Sequence, residues 1–227
     1  MTTDAKYWLL REHNLFSTLS TEKVHNLSAL VNFKTAKKGE PIYFGNDETP
    51  RIYFLTKGII KIIKNDEDGT ETVTEVLQNG DLFGQITLSD AETDEYAVVV
   101  SDYITCCSIK IEDFEKVLSQ NPLMALKFTK EVGRRLRSVE NRYNNLVKKD
   151  VQTRFAIFLK EWAGKDGQMS ANKTVTFTNY LTHQDIASLI CSTRQTVTQL
   201  FTKFKEGKVL DYDRKHIYIY NMASLSA

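Results

Sequence analysis

The chain has 227 residues, of which 41% are hydrophobic and 26% are charged, a composition typical of soluble globular proteins rather than disordered ones. No apolar run approaches the roughly 18 residues that a membrane span needs, and the first ten residues lack the apolar core of a signal peptide. We therefore expect a cytoplasmic protein with no membrane partner. The three cysteines, Cys106, Cys107 and Cys191, are odd in number and two are adjacent, which excludes a disulfide framework.

Charge is divided unevenly along the chain. Residues 1–147 carry 18 Lys and Arg against 22 Asp and Glu, whereas residues 148–227 carry 12 against 7. The first part is therefore mildly acidic and the second part basic. A basic C-terminal part is typical of a region that meets a polyanion, although ordinary scatter of surface charge explains the difference equally well.

The first half of the chain predicts helices followed by strands. Apolar residues recur every three or four positions within residues 4–31, which indicates helix. Short β-rich runs then alternate with turn residues from Phe33 to Ile111, which predicts an antiparallel sandwich or barrel. Asp68-Gly69 stands between two such runs and predicts a hairpin turn.

A long helix is predicted from Asn121-Pro122, because Asn can cap a helix and Pro suits its first position. Apolar residues along this helix are spaced alternately by four and three, which forms the narrow seam typical of two paired helices. The seam consists of Val132, Leu136, Val139, Tyr143 and Leu146. We expect it to be a dimer interface, and packing of the helix on its own domain is the alternative.

The C-terminal part predicts a helix over residues 151–163, a polar loop over 164–172 and a short strand over 174–178. Two short helices and a hairpin follow.

The two short helices have the pattern of a helix-turn-helix. Thr182 and Asp185 have the spacing of a capping box, which starts the first helix. A break at residues 191–193 precedes the second helix, which is predicted to end near Lys205. The hairpin that follows carries two cations at its tip, residues 213–216, so we predict a winged helix-turn-helix. A small helical subdomain with a solvated polar face is the alternative.

The exposed positions of the second helix carry polar side chains that suit DNA. Arg can bond guanine in two places, Gln can bond adenine in the same way, and Lys can contact phosphates. The candidate DNA-binding residues are Thr193, Arg194, Gln195, Thr198, Gln199 and Lys203. Ser192 with Gln195 also fits a capping box, which would turn Gln195 back towards the backbone.

Three stretches together resemble the Crp/Fnr superfamily of bacterial transcription regulators. Residues 64–88 resemble the hairpin and glycine-rich turn of its cyclic-nucleotide-binding barrel. Residues 121–146 resemble its dimerisation helix, and residues 181–210 resemble its helix-turn-helix. The resemblance implies a homodimeric, sequence-specific DNA-binding transcription regulator whose barrel binds an effector and repositions the DNA-binding heads.

The resemblance also implies the domain organisation and the partners. We expect the α+β class, with an antiparallel β jelly-roll or double-stranded β-helix barrel over residues 1–120. A dimerisation helix over 121–147 and a winged helix-turn-helix over 148–227 are expected to follow. The expected partners are double-stranded DNA and a second copy of the chain, with RNA polymerase in addition if the protein is an activator.

The positions that match the family's cyclic-AMP pocket are Gly84, Gln85, Glu95 and Tyr96. Members that bind cyclic AMP resemble each other in having glycine-glutamate and arginine-serine there, which hold the ribose and the cyclic phosphate. An acid at position 95 would instead repel the phosphate, since two like charges about 4 Å apart cost roughly 4 kcal/mol at an effective dielectric constant of about 20. We therefore expect no cofactor and no cyclic AMP held in the usual way, so the barrel binds another effector or none.

Other sensor and enzyme chemistries lack the residues they need. An iron–sulfur cluster normally takes four thiolates, and none of the four histidines lies in the predicted barrel, where haem or a metal would need one. Adjacent Cys106 and Cys107 should face opposite sides of a strand, which favours buried structural thiols over a redox switch. We expect no metal site and no enzyme, and a barrel that acts only as a protein-interaction module is the remaining alternative.

Two parts of the helix-turn-helix depart from the family's pattern. Cys191 stands where glycine is usual, and cysteine lacks glycine's ease with positive φ. Gln195 and Gln199 stand where many members have a glutamate and a second arginine, while Arg194 is retained. We therefore expect an operator that differs from the best-known sites of the family.

Overall fold

A computed structural model describes residues 3–44, 49–66, 68–84 and 94–225. The chain divides into two compact units, Met1–Leu136 and Arg137–Ala227. The boundary between them falls inside a long helix, which contributes to both. Antiparallel sheets, a long helix and a C-terminal helix-turn-helix confirm the predicted α+β class.

The first unit surrounds a pair of sheets with helices. Its helices are α1 (Thr3–Glu12), a 3-10 helix (Asn14–Thr18), α2 (Thr21–Leu30), α3 (Ile111–Ser119) and α4 (Pro122–Lys148), of which α4 continues into the second unit. Its described strands are β1 (Asn32–Lys37), β2 (Pro41–Phe44), β3 (Arg51–Lys57), β4 (Ile60–Asn65), β5 (Glu71–Leu77), β6 (Leu82–Gly84), β7 (Glu95–Val99) and β8 (Tyr103–Lys110). Two four-stranded sheets form, in the orders β1-β8-β3-β6 and β2-β7-β4-β5.

The sheet β1-β8-β3-β6 is covered on both faces, so most positions of its central strands β3 and β8 are buried. On β8, Cys107 and Ile109 pack among the N-terminal helices and α3. Ile104 and Cys106 instead pack against the second sheet. The adjacent cysteines therefore face opposite sides of the strand, as predicted, and both side chains are fully buried.

The hairpin of β4 and β5 lies where the sequence predicts it. The two strands pair antiparallel from Ile60 with Leu77 to Asn65 with Glu71. Gly69 has φ of 80°, in the left-handed region that glycine adopts at little cost. The hairpin predicted from Asp68-Gly69 is thus confirmed.

The start of α4 is only partly as predicted. Pro122 is its first residue, as expected. Asn121, however, does not cap the helix, because its side-chain oxygen accepts from Lys23 Nζ at 2.6 Å and its amide donates to the Val117 carbonyl at 2.7 Å. The same side chain instead joins α2 and α3 to the beginning of α4.

The second unit packs three helices against a small sheet. Its elements are α5 (Val151–Asp166), β9 (Gln168–Met169), β10 (Val175–Thr178), α6 (His183–Leu189), α7 (Arg194–Glu206), β11 (Leu210–Tyr212), β12 (His216–Ile219) and a 3-10 helix (Met222–Leu225). The strands pair antiparallel in the order β11-β12-β10-β9. Helix α5 runs three residues further than predicted and includes Gly164; it ends at a cap in which the Gly167 N–H donates to the Ala163 carbonyl at 2.8 Å.

The core of the second unit joins α5 to α7. The Phe155 ring lies 5.0 Å from the Phe201 ring and 5.5 Å from the Phe204 ring, measured between centroids. All three side chains are buried. This aromatic contact fixes one face of α7 and leaves the opposite face exposed.

Candidate nucleic-acid interface and effector region

Helix α6 begins with the predicted capping box. The Thr182 hydroxyl accepts from the Asp185 N–H at 3.1 Å, and the Asp185 carboxylate accepts from the Thr182 N–H at 2.8 Å. Two N–H groups that lack partners inside the helix are thereby satisfied. Ile186 and Ala187 then bury the apolar face of α6.

The turn after α6 is a Schellman motif with a cysteine at its left-handed position. The Ser192 N–H donates to the Ala187 carbonyl at 2.8 Å, and the Cys191 N–H donates to the Ser188 carbonyl at 3.1 Å. Cys191 has φ of 52°, a conformation that glycine adopts far more readily. The turn therefore keeps the left-handed geometry although the residue that usually provides it is absent.

Thr193, and not Ser192, caps helix α7. The Thr193 hydroxyl accepts from the Thr196 N–H at 3.1 Å. The alternative capping box of Ser192 with Gln195 is thus wrong, because the helix begins one residue later than that box requires. Gln195 stands in the first turn of α7, with its side chain exposed.

The exposed face of α7 carries the candidate DNA-binding residues. Thr193, Arg194, Gln195, Thr198, Gln199 and Lys203 are all exposed. Three of these side chains have partners within the protein. The Thr193 hydroxyl accepts from the Thr196 N–H, the Thr198 hydroxyl donates to the Arg194 carbonyl at 2.9 Å, and Lys203 Nζ donates to Gln152 Oε1. Arg194, Gln195 and Gln199 are the longest polar side chains at the start of the helix.

His183 joins α6 to this face and was missed by the sequence analysis. Its Nδ1 lies 2.8 Å from the Thr198 hydroxyl oxygen, and its ring stacks on Phe201 with centroids 4.8 Å apart. Burial lowers the pKa of His183, and the positive charge of Arg194 lowers it further. The residue pattern does not predict this contact, because it depends on how α6 and α7 pack against each other.

The predicted wing is present as the hairpin of β11 and β12. The Asp213 carboxylate accepts from the backbone N–H groups of Lys215 and His216 at 2.6 and 2.7 Å, which closes the turn. These two bonds are the main reason that the pKa of Asp213 is lowered. Arg214 and Lys215 at the tip are exposed, so the wing presents two cations.

The positions that match a cyclic-nucleotide pocket lie at the ends of β6 and β7. Gly84 has φ of 98°, and a Cβ atom there would lie 2.5 Å from the Arg51 carbonyl oxygen, so close strand packing requires glycine. Glu95 is paired in register with Lys64 of β4. Gln85 lies outside the described residues.

Tyr96 bonds across the sheet to a carboxylate. Its hydroxyl donates to Glu71 Oε1 at 2.6 Å. Burial, with the Glu71 carboxylate as the second cause, raises the pKa of Tyr96 to about 12. The phenol is therefore protonated at neutral pH and ties β7 to β5.

Helix α4 is bonded to the barrel by Arg135, a contact that the pattern of residue types does not predict. Its guanidinium donates to the Leu82 carbonyl at 2.8 Å and pairs with the Glu75 carboxylate. Leu82 begins β6, the strand that ends at Gly84. Arg135 therefore joins α4 to the strand that ends at Gly84.

The predicted seam of α4 is exposed in the single chain. The exposed fractions are 41% for Val132, 59% for Leu136, 47% for Val139, 66% for Tyr143 and 42% for Leu146. Such a row of large apolar side chains is unusual on a monomeric surface. That these residues form a dimer interface stays a prediction.

Two features are absent from residues 3–44, 49–66, 68–84 and 94–225. There, no three His, Cys, Asp or Glu side chains are grouped so as to hold a metal ion. None of the helices described is both long enough and apolar enough to cross a membrane.

Two protein families match the chain, one in each half. Residues 33–121 match the cyclic nucleotide-binding domain, and residues 153–227 match the Crp-like helix-turn-helix domain. The global nitrogen regulator of Synechocystis sp. is 29% identical over 85% of this chain and 86% of its own length. The cAMP-activated global transcriptional regulator CRP of Salmonella typhimurium is 23% identical over 77% of this chain and 82% of its own length.

A solved structure shares the fold of this chain. A CooA mutant from Carboxydothermus hydrogenoformans superposes with a TM-score of 0.73 at 22% identity, covering 88% of each chain. The chain belongs to the Crp/Fnr superfamily of bacterial transcription regulators.

Proposed function

We propose that the chain is a homodimeric, sequence-specific regulator of transcription that reads DNA with helix α7. The observation that carries this proposal is the exposed row Arg194, Gln195 and Gln199 at the start of a helix whose opposite face is fixed by aromatic packing. The family to which the chain belongs supports it. Its action is binding rather than catalysis, and as a regulator of bacterial type it works in the cytoplasm, where the DNA lies.

A dimer with one α7 per subunit should bind a near-palindrome. Its half-sites would lie one helical turn of DNA apart, about 34–36 Å. The exposed seam of α4 supports this assembly, because a second copy of the same helix is the simplest cover for a narrow apolar stripe. Each wing, with Arg214 and Lys215 at its tip, is placed beside α7 by the β11–β12 hairpin and is suited to phosphates.

The residues of α7 divide into two roles. Arg194 at the first position suits the O6 and N7 atoms of a guanine, and Gln195 suits the N6 and N7 atoms of an adenine. Gln199 lies one turn further along the same face and suits a second base or a phosphate. Lys203 lies near the C-terminal end of α7, beside Gln152, and suits a phosphate.

Selection of bound duplexes from a random DNA pool tests the proposal directly. The expected result is a palindromic consensus with a guanine in each half-site. Arg194→Ala should weaken binding by about 1–3 kcal/mol and relax the preference at one base pair, whereas Lys203→Ala should weaken all sequences alike and lower the salt slope by about one. Recovery of no consensus from the wild-type pool would refute sequence-specific binding.

Gln195 provides a sharper test of base reading. Gln195→Glu replaces an amide by a carboxylate that can only accept, so the preferred partner should change from adenine to cytosine. An unchanged consensus would show that Gln195 does not contact a base. Because Thr193 caps α7, a changed consensus cannot be attributed to a lost helix cap.

We also propose that the barrel responds to an effector other than cyclic AMP and acts through α4. An effector shifts the two arrangements of the dimer only by its differential affinity for them. Arg135 supports this route, because it joins α4 to Glu75 of β5 and to Leu82 of β6, and Tyr96 bonds to Glu71 of the same strand β5. Transcription in vitro with and without cell extract would separate activation, which requires RNA polymerase contact, from repression.

A further inference from the structure

One arginine of α5 binds three backbone carbonyls, one at residue 149 and two at the adjacent residues 190 and 191. Arg154 Nε donates to the Ile190 carbonyl at 2.9 Å, and Nη2 donates to the Cys191 carbonyl at 3.1 Å. Nη1 donates to the Lys149 carbonyl at 2.8 Å. All three nitrogens of the guanidinium are thus used, and each binds a different oxygen.

These carbonyls belong to the C-terminal ends of two helices. Lys149 follows the last residue of α4, while Ile190 and Cys191 follow the last residue of α6. The last carbonyls of a helix lack partners within it and carry its partial negative charge, so a cation that donates to them is stabilising. The Arg154 guanidinium therefore satisfies the ends of α4 and α6 at the same time.

Only arginine suits this position. Its planar fork presents five N–H donors in fixed directions, whereas a lysine ammonium is a point charge on a flexible stem. The backbone before Arg154 is also held, since the Asp150 carboxylate accepts from the Thr153 N–H at 2.7 Å and caps α5. The guanidinium is therefore fixed relative to the junction between α4 and α5.

We propose that Arg154 is a positioning residue that links the α4–α5 junction to the turn before the recognition helix α7. Cys191 stands two residues before the Thr193 cap, so the direction in which α7 leaves the turn depends on the carbonyls that Arg154 holds. Arg154 also holds Cys191 in its left-handed conformation, which a cysteine does not favour. A rearrangement at Lys149 would thus be transmitted to Arg194 by the Arg154 side chain and by the turn at Cys191.

This inference rests on the proposed DNA-binding function and adds its route of control. Lys203 supports the same link independently, because it joins α7 to Gln152 in the first turn of α5. The N-terminal turn of α5 is therefore bonded both to the turn before α7 and to α7 itself. The first turn of α5 and the recognition helix should accordingly move as one body.

The test compares full-length Arg154→Gln with Lys160→Gln, which removes a charge from an exposed position of the same helix. The probe is the duplex recovered by selection with the wild-type protein. Arg154→Gln should bind it about tenfold more weakly, because charge-assisted hydrogen bonds are lost, and Lys160→Gln less than about twofold. Arg154→Lys should resemble Arg154→Gln, because an ammonium cannot reach all three carbonyls.

Two further readouts separate positioning from general stability. In Arg154→Gln, amide hydrogen exchange should accelerate at both Ser192 and Lys149, whose N–H groups are bonded at the ends of α6 and α4 that Arg154 contacts. Adding Cys191→Gly to Arg154→Gln should recover most of the lost affinity, since glycine holds positive φ unaided. Lys160→Gln should leave both amides unchanged.

Equal operator affinity of folded Arg154→Gln and Lys160→Gln would overturn the proposal. Faster exchange at Ser192 alone would also overturn it, because Arg154 would then cap α6 without linking the junction. If the wild-type protein selects no sequence, the proposed function fails instead, and the exchange measurement still decides whether the link exists.

Discussion

Replacing Cys191 by glycine should stabilise the second unit, because Cys191 is held at φ of 52°. A left-handed conformation costs an L-residue roughly 1–2 kcal/mol, and glycine escapes this cost. Glycine in turn loses about 0.5–1 kcal/mol more backbone entropy on folding. Since the Cys191 side chain is exposed, its removal forfeits little burial, so the net gain should be about 0.5–1 kcal/mol.

Thermal unfolding measures this gain. For a unit the size of Arg137–Ala227, 1 kcal/mol corresponds to about 4–8 °C, so Cys191→Gly should raise the unfolding temperature by about 2–8 °C. Cys191→Ala is the matched control, because alanine lacks the sulfur but keeps the Cβ atom that makes positive φ costly. Equal unfolding temperatures of the glycine and alanine variants would refute the argument from backbone strain.

Three other predictions follow from the first unit and from α4. Leu136→Asp with Val139→Asp should give a monomer by light scattering, because charge buried in the seam costs several kcal/mol. The exposed change Asn141→Asp should leave a dimer, and a wild-type protein that is monomeric at high concentration would contradict the interface. Burial lowers the pKa of His13 from its ordinary 6.5, so stability should be lost as pH falls below about 6.5. His13→Asn, which keeps an acceptor but does not titrate, should flatten this slope in urea unfolding, and an unchanged slope would assign it to other groups. Calorimetry should detect no micromolar binding of cyclic AMP, since Glu95 adds roughly 4 kcal/mol of repulsion, and micromolar binding would reject this account of the pocket.

The sequence predicts best those elements that local chemistry determines. The Thr182 capping box, the Pro122 helix start and the hairpin at Gly69 each depend on a few neighbouring residues, and all three lie where expected. The apolar strand β8 was also recognised, although both of its faces are buried and alternation is absent. Short length and flanking turn residues compensated for the missing alternation.

Long-range contacts to backbone atoms could not be predicted. In the sequence, Arg154 and Arg135 look like ordinary charged positions of a helix. Their partners are backbone carbonyls, which every residue has, so no residue type indicates the contact. The choice between Ser192 and Thr193 as the cap of α7 depends on where the left-handed turn ends, and both residues suit the role. Whether Gly164 lies in helix or loop depends on tertiary packing of its neighbour Trp162.

Strand β8 separates two hydrophobic cores, and its adjacent residues Cys106 and Cys107 pack in different cores. Enlarging Cys106 presses on the strands of the barrel, whereas enlarging Cys107 presses on the helices around Phe114 and Met124. Neighbouring codons should therefore give unrelated mutant phenotypes, one in the response to an effector and the other in the seating of α3 and the start of α4. Isotope labels on Cys106 and Cys107 would therefore report on two different hydrophobic cores of the same unit, although the two residues are adjacent.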